Sequence, residues 1–205
     1  MKLILVRHGE TRWNSERRVQ GCRTDSELSK RGKDQAKRTA LALKGQNITA
    51  IYSSPLKRAA DVAHMVAKTH GLVVNPVPEL KEIDAGELEG LSEKELMEKH
   101  REFWKEWTKS NPSFHTPGGE SLDELQKRAW QAIQRIMEKH PDEVVAVVSH
   151  LFTILTIICQ ALGMDLRHIR HLRQDAAAIN ILELTQQRNS LLLLYDTCHL
   201  KIQPA

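Results

Sequence analysis

Two histidines that directly follow buried-strand patterns are the first candidates for chemistry in this sequence. His8 follows the apolar run LILV and Arg7, and His150 follows the run VVAVVS. In open parallel α/β sheets, ligands gather at the carboxyl ends of the strands. We therefore expect His8 and His150 to meet at one edge of a sheet. A neutral imidazole in that position can serve as a nucleophile or as a proton carrier.

The position of His8 distinguishes it from other histidines, because the Arg-His dipeptide alone is uninformative. The same pair recurs twice within residues 167–173, a basic stretch that no strand pattern precedes. This stretch lacks the interleaved aromatic residues of a nucleic-acid surface and is more typical of a solvated turn. No nucleic-acid partner is predicted.

A third strand pattern, AIYSS, adds a cation to the expected site. It leads into Pro55, a residue favoured at the first helical position, so Arg58 would lie in the first turn of a helix. Arg7, Arg58 and the free N–H groups of helix N-termini can hold a phosphoryl group through several hydrogen bonds. Such groups also neutralise its equatorial oxygens without a metal ion. The set predicts phosphoryl transfer, with His8 as the nucleophile.

A phosphohistidine route also needs a group that protonates the leaving oxygen and later activates water, and one carboxylate can do both. Glu82, in the segment ELKEIDAGELEGL, is our candidate for this role. Three neighbouring acids could instead be solvated surface charges or rivals for the role. They are Glu79, Glu87 and Glu89.

Composition is typical of a globular protein. The chain has 205 residues, 40% of them hydrophobic and 27% charged, with a formal net charge of +4. A chain of this length can bury a sizeable core, and no repeat or linker divides it, so we predict one domain over residues 1–205. The mild positive charge suits an anionic substrate.

The apolar stretches are too short for a membrane segment. LFTILTIICQALGM and LLLLY fall below the roughly 20 residues that span a bilayer. The N-terminal apolar run is also too short for the central region of a secretory signal. The sequence therefore predicts a cytoplasmic protein with no membrane partner.

Metal and disulfide sites are not predicted. Cys22, Cys159 and Cys198 are widely spaced, and neither HExxH nor a Cys/His cluster occurs. We expect reduced thiols, no metal and no cofactor.

Strand and helix patterns alternate along the chain, which predicts an α/β layered fold with a mostly parallel sheet. Helical periodicity covers residues 29–43, 55–70 and 120–140, and residues 179–196 indicate a hairpin. Residues 92–118 are expected to form a helical cap-like insertion. Its aromatic residues, Phe103, Trp104 and Trp107, would pack against the sheet domain or cover the organic part of a substrate.

Seven motifs occur in a fixed order between residue 2 and about residue 151: LVRHGETRWN, QG, LSKRGKDQA, SSPLKRA, ELKEIDAGELEGL, PGGES and VVSH. Together they resemble the histidine phosphatase superfamily, in its phosphoglycerate-mutase-like branch of small bacterial phosphatases. The resemblance implies a three-layer α/β/α sandwich and a metal-independent phosphatase, similar to broad-specificity or alpha-ribazole phosphatases.

The resemblance also implies roles for individual residues. His8 would become phosphorylated, while Arg7, Arg58 and His150 surround the transferred group and Glu82 acts as acid and base. The other matched substrate contacts are Asn14, Gln20, Gly21 and the backbone N–H of Leu151.

Two places near the site depart from the family pattern. Leu151 and Phe152 stand where many relatives have two glycines, and Asp61 stands where a threonine is common. The two bulky side chains would narrow the pocket and favour particular leaving groups. The effect of Asp61 is left open.

Hydrolysis of small-molecule phosphate monoesters is the leading functional interpretation. Mutase-type transfer would return the phosphoryl group to the substrate, but the segment KEIDAGELEGL is acidic and lacks a basic patch that would retain a bisphosphate. A non-catalytic phosphate-binding module is the other alternative. The natural substrate and the oligomeric state stay open, with a homodimer as one option.

Overall fold

A central six-stranded sheet organises the protein. The computed structural model describes residues 1–109 and 111–201. The strands are β1 (Lys2–Arg7), β2 (Ile48–Ser53), β3 (Val74–Pro76), β4 (Val144–Ser149), β5 (Ile179–Glu183) and β6 (Ser190–Asp196). Their order across the sheet is β3-β2-β4-β1-β5-β6.

The first four strands are parallel, and the last two form an antiparallel hairpin at one edge. β4 pairs with β2 on one side and with β1 on the other, and β5 runs antiparallel to β1. The register of β1 and β4 pairs Arg7 with Ser149. Both strands therefore end at the same level of the sheet, as expected from the sequence.

Seven α-helices surround the sheet among the described residues. They are α1 (Arg12–Ser15), α2 (Lys30–Leu43), α3 (Lys57–His70), α4 (Glu93–Lys99), α5 (Arg101–Thr108), α6 (Leu122–Lys139) and α7 (Leu151–Leu162). Short 3₁₀ segments occupy Pro78–Leu80, Gly86–Leu88, Leu166–His171 and Cys198–Leu200.

The two faces of the sheet have separate cores. Leu3 and Leu5 of β1 pack with α6 and α7, while Ile4 and Val6 pack with α2 and α3. This alternation follows from the two-residue period of a strand that is covered on both sides. The predicted three-layer α/β/α arrangement is confirmed.

No sequence pattern marks β3 or α7, nor the four-residue helix α1. β3 spans only three residues, too few for a strand pattern. α7 is apolar around most of its circumference, because it packs between the sheet, α6 and the 3₁₀ segment Leu166–His171, so no amphipathic period marks it. None of the helices in the described part of the chain is long and apolar enough to cross a membrane.

The helices α4 and α5 lie outside the sheet layers. Ser92 caps α4 through a capping box with Glu95. Leu96 and Phe103 pack against the 3₁₀ segment Gly86–Leu88 that follows Glu82. This packing joins the predicted cap region to the loop that contains the candidate acid.

Burial along α7 predicts a stability difference between two positions. Ile157 is 0% exposed and Leu162 is 40% exposed. Ile157→Ala should lower the free energy of unfolding by about 2–5 kcal/mol because it leaves a cavity, whereas Leu162→Ala should cost about 0.5 kcal/mol or less. Urea denaturation of both variants measures the difference. Equal losses would show that α7 does not pack as described.

Candidate active site

His8 and His150 meet where β1 and β4 end. The backbone N–H of His8 donates to the carbonyl of Ser149 at 3.0 Å, which continues the ladder one residue past β1. The centroids of the two imidazole rings lie 5.1 Å apart, and the ring planes are at 60° to each other. His8 is 3% exposed and His150 is fully buried. Both sequence-predicted histidines are therefore in one site.

One hydrogen bond sets the tautomer of His8. Its Nδ1 lies 2.7 Å from the carbonyl oxygen of Gly9. A carbonyl only accepts hydrogen bonds, so Nδ1 holds the proton and the lone pair lies on Nε2. This is the form of imidazole that can attack phosphorus.

A hydroxyl orients His150. Its Nε2 lies 2.8 Å from Oγ of Ser54, the residue after β2. When the Ser54 hydroxyl donates, Nε2 is the acceptor and Nδ1 becomes the donor. Nδ1 is buried and has no partner in the protein.

Burial and positive charge keep both rings neutral. Burial is the largest cause that lowers the pKa of His8 well below its ordinary value, followed by the charges of Arg58 and Arg7. The pKa of His150 is lowered in the same way by burial and then by Arg58. A neutral His8 is nucleophilic, whereas an imidazolium is not.

Two arginines stand beside these rings, each held by backbone carbonyls. Arg7 donates from Nη1 to the carbonyl of Gln174 at 2.5 Å. Arg58 is 0% exposed and donates to the carbonyls of Thr24 at 3.2 Å and Gly21 at 2.8 Å. Burial lowers the pKa of both arginines and Glu82 opposes that shift, but guanidinium stays charged.

Three buried donors of the site lack a partner. They are Nε of Arg7, Nε of Arg58 and Nδ1 of His150. Buried donors without acceptors are costly, so a cluster of donors that the protein itself does not pair suits a ligand that offers only acceptors. A phosphoryl group has that property, and two guanidinium charges would balance its own.

Glu82 lies at the N-terminus of α7. Its carboxylate, 4% exposed, accepts the backbone N–H of Phe152 at 3.2 Å and of Thr153 at 3.3 Å. The hydroxyl of Thr153 adds a bond at 3.2 Å. Leu151, the first residue of the helix, has a backbone N–H with no acceptor inside the helix. α7 thus offers one N–H to a bound anion and two to Glu82.

A partly buried ion pair that no sequence motif indicated holds the Glu82 loop. Arg128 of α6 donates to the carbonyls of Lys81 and Glu82, both at 2.9 Å, and pairs with Glu120 at 2.5 Å. Glu120 in turn accepts the N–H of Asp84 at 2.8 Å. Glu120 belongs to the PGGES motif, but the helical pattern gave no signal for Arg128.

Three predicted substrate contacts remain: Asn14 and Gln20 line the cavity that is described below, and Gly21 does not. Asn14 uses Oδ1 to cap Thr11, leaving Nδ2 as a donor, and Gln20 accepts from Thr11 at 2.9 Å. Both side chains line the cavity described below. Gly21 lies behind it, where its carbonyl holds Arg58 and a Cβ atom would collide with Ile83 and Ala85.

A cavity of about 460 Å³ opens above His8. Its polar end contains Arg7, His8, Asn14 and Glu82, with Leu151 beside them. Arg58 and His150 are fully buried and do not line the cavity, but the His150 ring lies next to that of His8. The other walls come from α4, α5, α7 and the loop after Glu82 and are mostly apolar.

The two departures from the family pattern have different consequences. Phe152 lines the cavity and meets Trp107 of α5 with ring centroids 5.2 Å apart. Asp61 instead pairs with Lys57 at 3.3 Å on the outer face of α3. Asp61 therefore has no contact with the cavity.

Two of the three arginines in the basic stretch 167–173 pair with neighbouring aspartates. Arg167 pairs with Asp165 at 2.7 Å, and Arg173 pairs with Asp175 at 3.4 Å. Arg170 donates to the carbonyl of Trp107 at 3.0 Å, which fastens α5 to the body of the protein.

One group of potential metal ligands lies outside the cavity among the described residues. Atoms of Cys22, Asp84 and Glu89 all lie within 4.8 Å of one another. Asp84 is already paired with Arg23 at 2.7 Å, and both Glu89 oxygens accept backbone N–H groups. These contacts give the two carboxylates a structural role.

Fold and site together define an α/β protein whose mostly parallel sheet brings together two neutral histidines and two arginines, Arg58 fully buried and Arg7 partly buried, at its carboxyl edge. A family model for the histidine phosphatase superfamily (branch 1) matches residues 3–197, and the chain belongs to this superfamily. The resemblance found in the sequence motifs is thereby confirmed.

Several proteins are similar to this chain in sequence or structure over nearly its whole length. Phosphoserine phosphatase 1 of Hydrogenobacter thermophilus is 37% identical over 200 residues, covering 98% of this chain and 94% of that protein. The structure of YhfR of Bacillus stearothermophilus has a TM-score of 0.90 at 28% identity, covering 97% of this chain and 98% of that one. A phosphoserine phosphatase mutant of Entamoeba histolytica, in complex with phosphoserine, has a TM-score of 0.88 at 31% identity over 97% and 98% of the chains.

The lowered pKa values of His8 and His150 predict a pH dependence of stability. Below the ordinary histidine pKa, the unfolded chain binds protons at these positions and the native protein does not. Stability should therefore fall as the pH falls from 7.5 to 5.5, by about 1.4 kcal/mol per pH unit and per histidine below that pKa. Urea denaturation at the two pH values measures the decline.

Two variants provide the comparison. His150→Asn removes one buried ring and should make the decline shallower. His64→Asn changes an exposed histidine of α3 and should match the parent. A parent protein equally stable at both pH values would contradict the neutral state of the two buried rings.

Proposed function

We propose that the protein hydrolyses phosphate monoesters of small molecules through a phosphohistidine on His8, without a metal ion. The observation that supports this most directly is the cluster of unpartnered donors, on Arg7, Arg58 and His150, beside a His8 tautomer whose Nε2 is free to attack. These groups supply the charge neutralisation and positioning that phosphoryl transfer requires.

In the first half-reaction, Nε2 of His8 attacks phosphorus and the bond from phosphorus to the ester oxygen breaks. Glu82, in its protonated form, gives its proton to the leaving oxygen, and the alcohol departs. Arg7, Arg58, His150 and the N–H of Leu151 bind the equatorial oxygens. The products are phosphohistidine and a Glu82 carboxylate.

In the second half-reaction, water attacks the phosphohistidine from the side that the alcohol has left. The Glu82 carboxylate takes the proton of this water, so one residue serves as acid and then as base. The bond between phosphorus and Nε2 breaks, and inorganic phosphate leaves. His8 and Glu82 return to their starting forms.

Hydrolysis is favoured over mutase-type transfer by the charges around Glu82. The loop after it contains Asp84, Glu87 and Glu89 and no lysine or arginine through residue 91. At the cavity rim, Arg18 is already paired with Glu16 at 3.2 Å. Arg17 is the other cation that lines this rim, so a doubly phosphorylated intermediate would have one exposed guanidinium there, rather than a basic patch, to retain it. Phosphorus NMR of the products separates free phosphate from an isomerised ester.

Wider features of the proposal follow the sequence analysis. Residues 92–118 act as a cap within a single domain over residues 1–205, and the protein works in the cytoplasm on small molecules rather than on nucleic acid. The local pairing of the basic stretch 167–173 supports the last point.

The nucleophile assignment predicts that His8→Ala abolishes turnover. Release of phosphate from p-nitrophenyl phosphate, in buffer containing a chelator, should fall at least about 1000-fold. His64→Ala removes an exposed histidine and serves as the matched control, with parental activity expected. Full activity of His8→Ala would exclude His8 as the nucleophile.

The acid assignment predicts a dependence on the leaving group. Glu82→Gln should slow hydrolysis of an alkyl phosphate about 100-fold, because an alkoxide needs a proton to leave. The loss with p-nitrophenyl phosphate should be much smaller, since nitrophenolate leaves unprotonated. Glu87→Gln, which changes an exposed neighbour, should leave both rates unchanged. Equal losses of Glu82→Gln on the two esters would instead indicate a structural role.

A further inference from the structure

The cavity above His8 has two ends of different chemistry. Beyond the polar end, most of its lining is hydrocarbon and aromatic. These apolar lining residues are Val19, Ile83, Ala85, Leu88, Leu96, Phe103, Trp104, Trp107, Leu151 and Phe152. The phosphate would occupy the polar end, so the organic part of the ester must extend into the apolar region.

Three rings form one continuous surface on this side. Phe103 and Trp107 of α5 stack with centroids 5.7 Å apart and planes at 20°. Trp107 meets Phe152 of α7 edge to face at 5.2 Å and 84°. We call Phe103, Trp107 and Phe152 the aromatic wall. It spans two helices that belong to different parts of the chain.

Glu82 fixes where the leaving group must lie relative to this wall. The acid that protonates the leaving oxygen has to be within hydrogen-bond reach of it. Its carboxylate also accepts the backbone N–H of Phe152 at 3.2 Å. In the proposed mechanism, the carbon atoms attached to the leaving oxygen would therefore begin near Phe152, whose ring meets that of Trp107.

Charged groups that could recognise a polar alcohol lie at the mouth of the cavity instead. Arg17 and Glu93 are exposed there, and Arg18 is engaged with Glu16 and the carbonyl of Gly90. A leaving group that carries an ammonium and a carboxylate would lose hydration against the aromatic wall without gaining partners. A flat apolar ring would gain contact with it.

We propose that the natural substrate is a phosphate monoester whose alcohol carries an aromatic or heteroaromatic ring, and that Phe152 and Trp107 determine this specificity. The proposal rests on the proposed function. It differs from the substrate named for the phosphoserine phosphatases among the relatives. Burial of one ring of this size corresponds to roughly a 10- to 100-fold gain in kcat/KM.

Three esters of primary alcohols test the proposal: 2-phenylethyl phosphate, ethyl phosphate and phosphoserine. All three leave as primary alkoxides, so differences in kcat/KM report mainly the contacts of the organic part. We expect 2-phenylethyl phosphate to exceed both others by roughly 10- to 100-fold. Equal or better turnover of ethyl phosphate or phosphoserine would overturn the proposal.

Variants assign the preference to the aromatic wall. Phe152→Ala and Trp107→Leu should each reduce the ratio of kcat/KM for phenylethyl over ethyl phosphate by roughly tenfold. Phe114→Leu is the matched control. The ring centroid of Phe114 lies 6.1 Å from that of Phe103, but Phe114 does not line the cavity. This control should keep the parental ratio. An unchanged ratio in both wall variants would remove Phe152 and Trp107 from the specificity site.

Binding of unreactive analogues separates this inference from the proposed function. If ethyl phosphate is hydrolysed in a His8-dependent way without any preference for the ring, the function stands and the inference fails. If no ester is hydrolysed, the proposed function fails. The dissociation constants of 2-phenylethylphosphonate and ethylphosphonate, measured by calorimetry, then still decide the inference. Equal constants would contradict it, and tighter binding of the phenylethyl compound would support it.

Discussion

The parallel pairing of β1 with β4 is the constraint on which the rest of the site depends. Its register places Arg7 opposite Ser149 and continues for one more hydrogen bond, from the N–H of His8 to the Ser149 carbonyl. Both strands end at the same level of the sheet, so the rings of His8 and His150 lie next to each other, with their centroids 5.1 Å apart. A shift of two residues in this register would move one ring about 7 Å along the sheet and separate the pair.

Two features next to the paired strands complete the site: the charge of Arg58 and the N-terminus of α7. Arg58 is held by carbonyls of the 21–24 loop through its Nη atoms, and its buried Nε has no partner in the protein. The N-terminus of α7 stabilises negative charge, and two of its N–H groups already bind Glu82. The same helix thus holds the proposed acid and offers the N–H of Leu151 to the proposed phosphoryl site. In the proposed mechanism, phosphate binding and proton transfer both depend on this helix.

Much of this arrangement could be predicted from the sequence, because strand ends and motif order are local signals. The runs LILV and VVAVVS located His8 and His150, and the motif order identified the superfamily. The ion pair of Arg128 with Glu120 could not be predicted, since it depends on how α6 lies against the Glu82 loop. α7 was also missed, because a helix buried on most sides has no amphipathic period. Both the ion pair and the burial of α7 depend on tertiary packing, which local sequence patterns do not show.

Phe152 shows how a departure from the family pattern connects the cap to the chemistry. Its backbone N–H holds Glu82, and its ring meets Trp107 of α5. A glycine at this position could keep the first contact but would lose the second. Arg170 fastens α5 from the other side through the Trp107 carbonyl. Residue 152 therefore links the proposed acid, Glu82, to the aromatic wall, so the proposed proton transfer and the proposed selectivity depend on the same position of the fold.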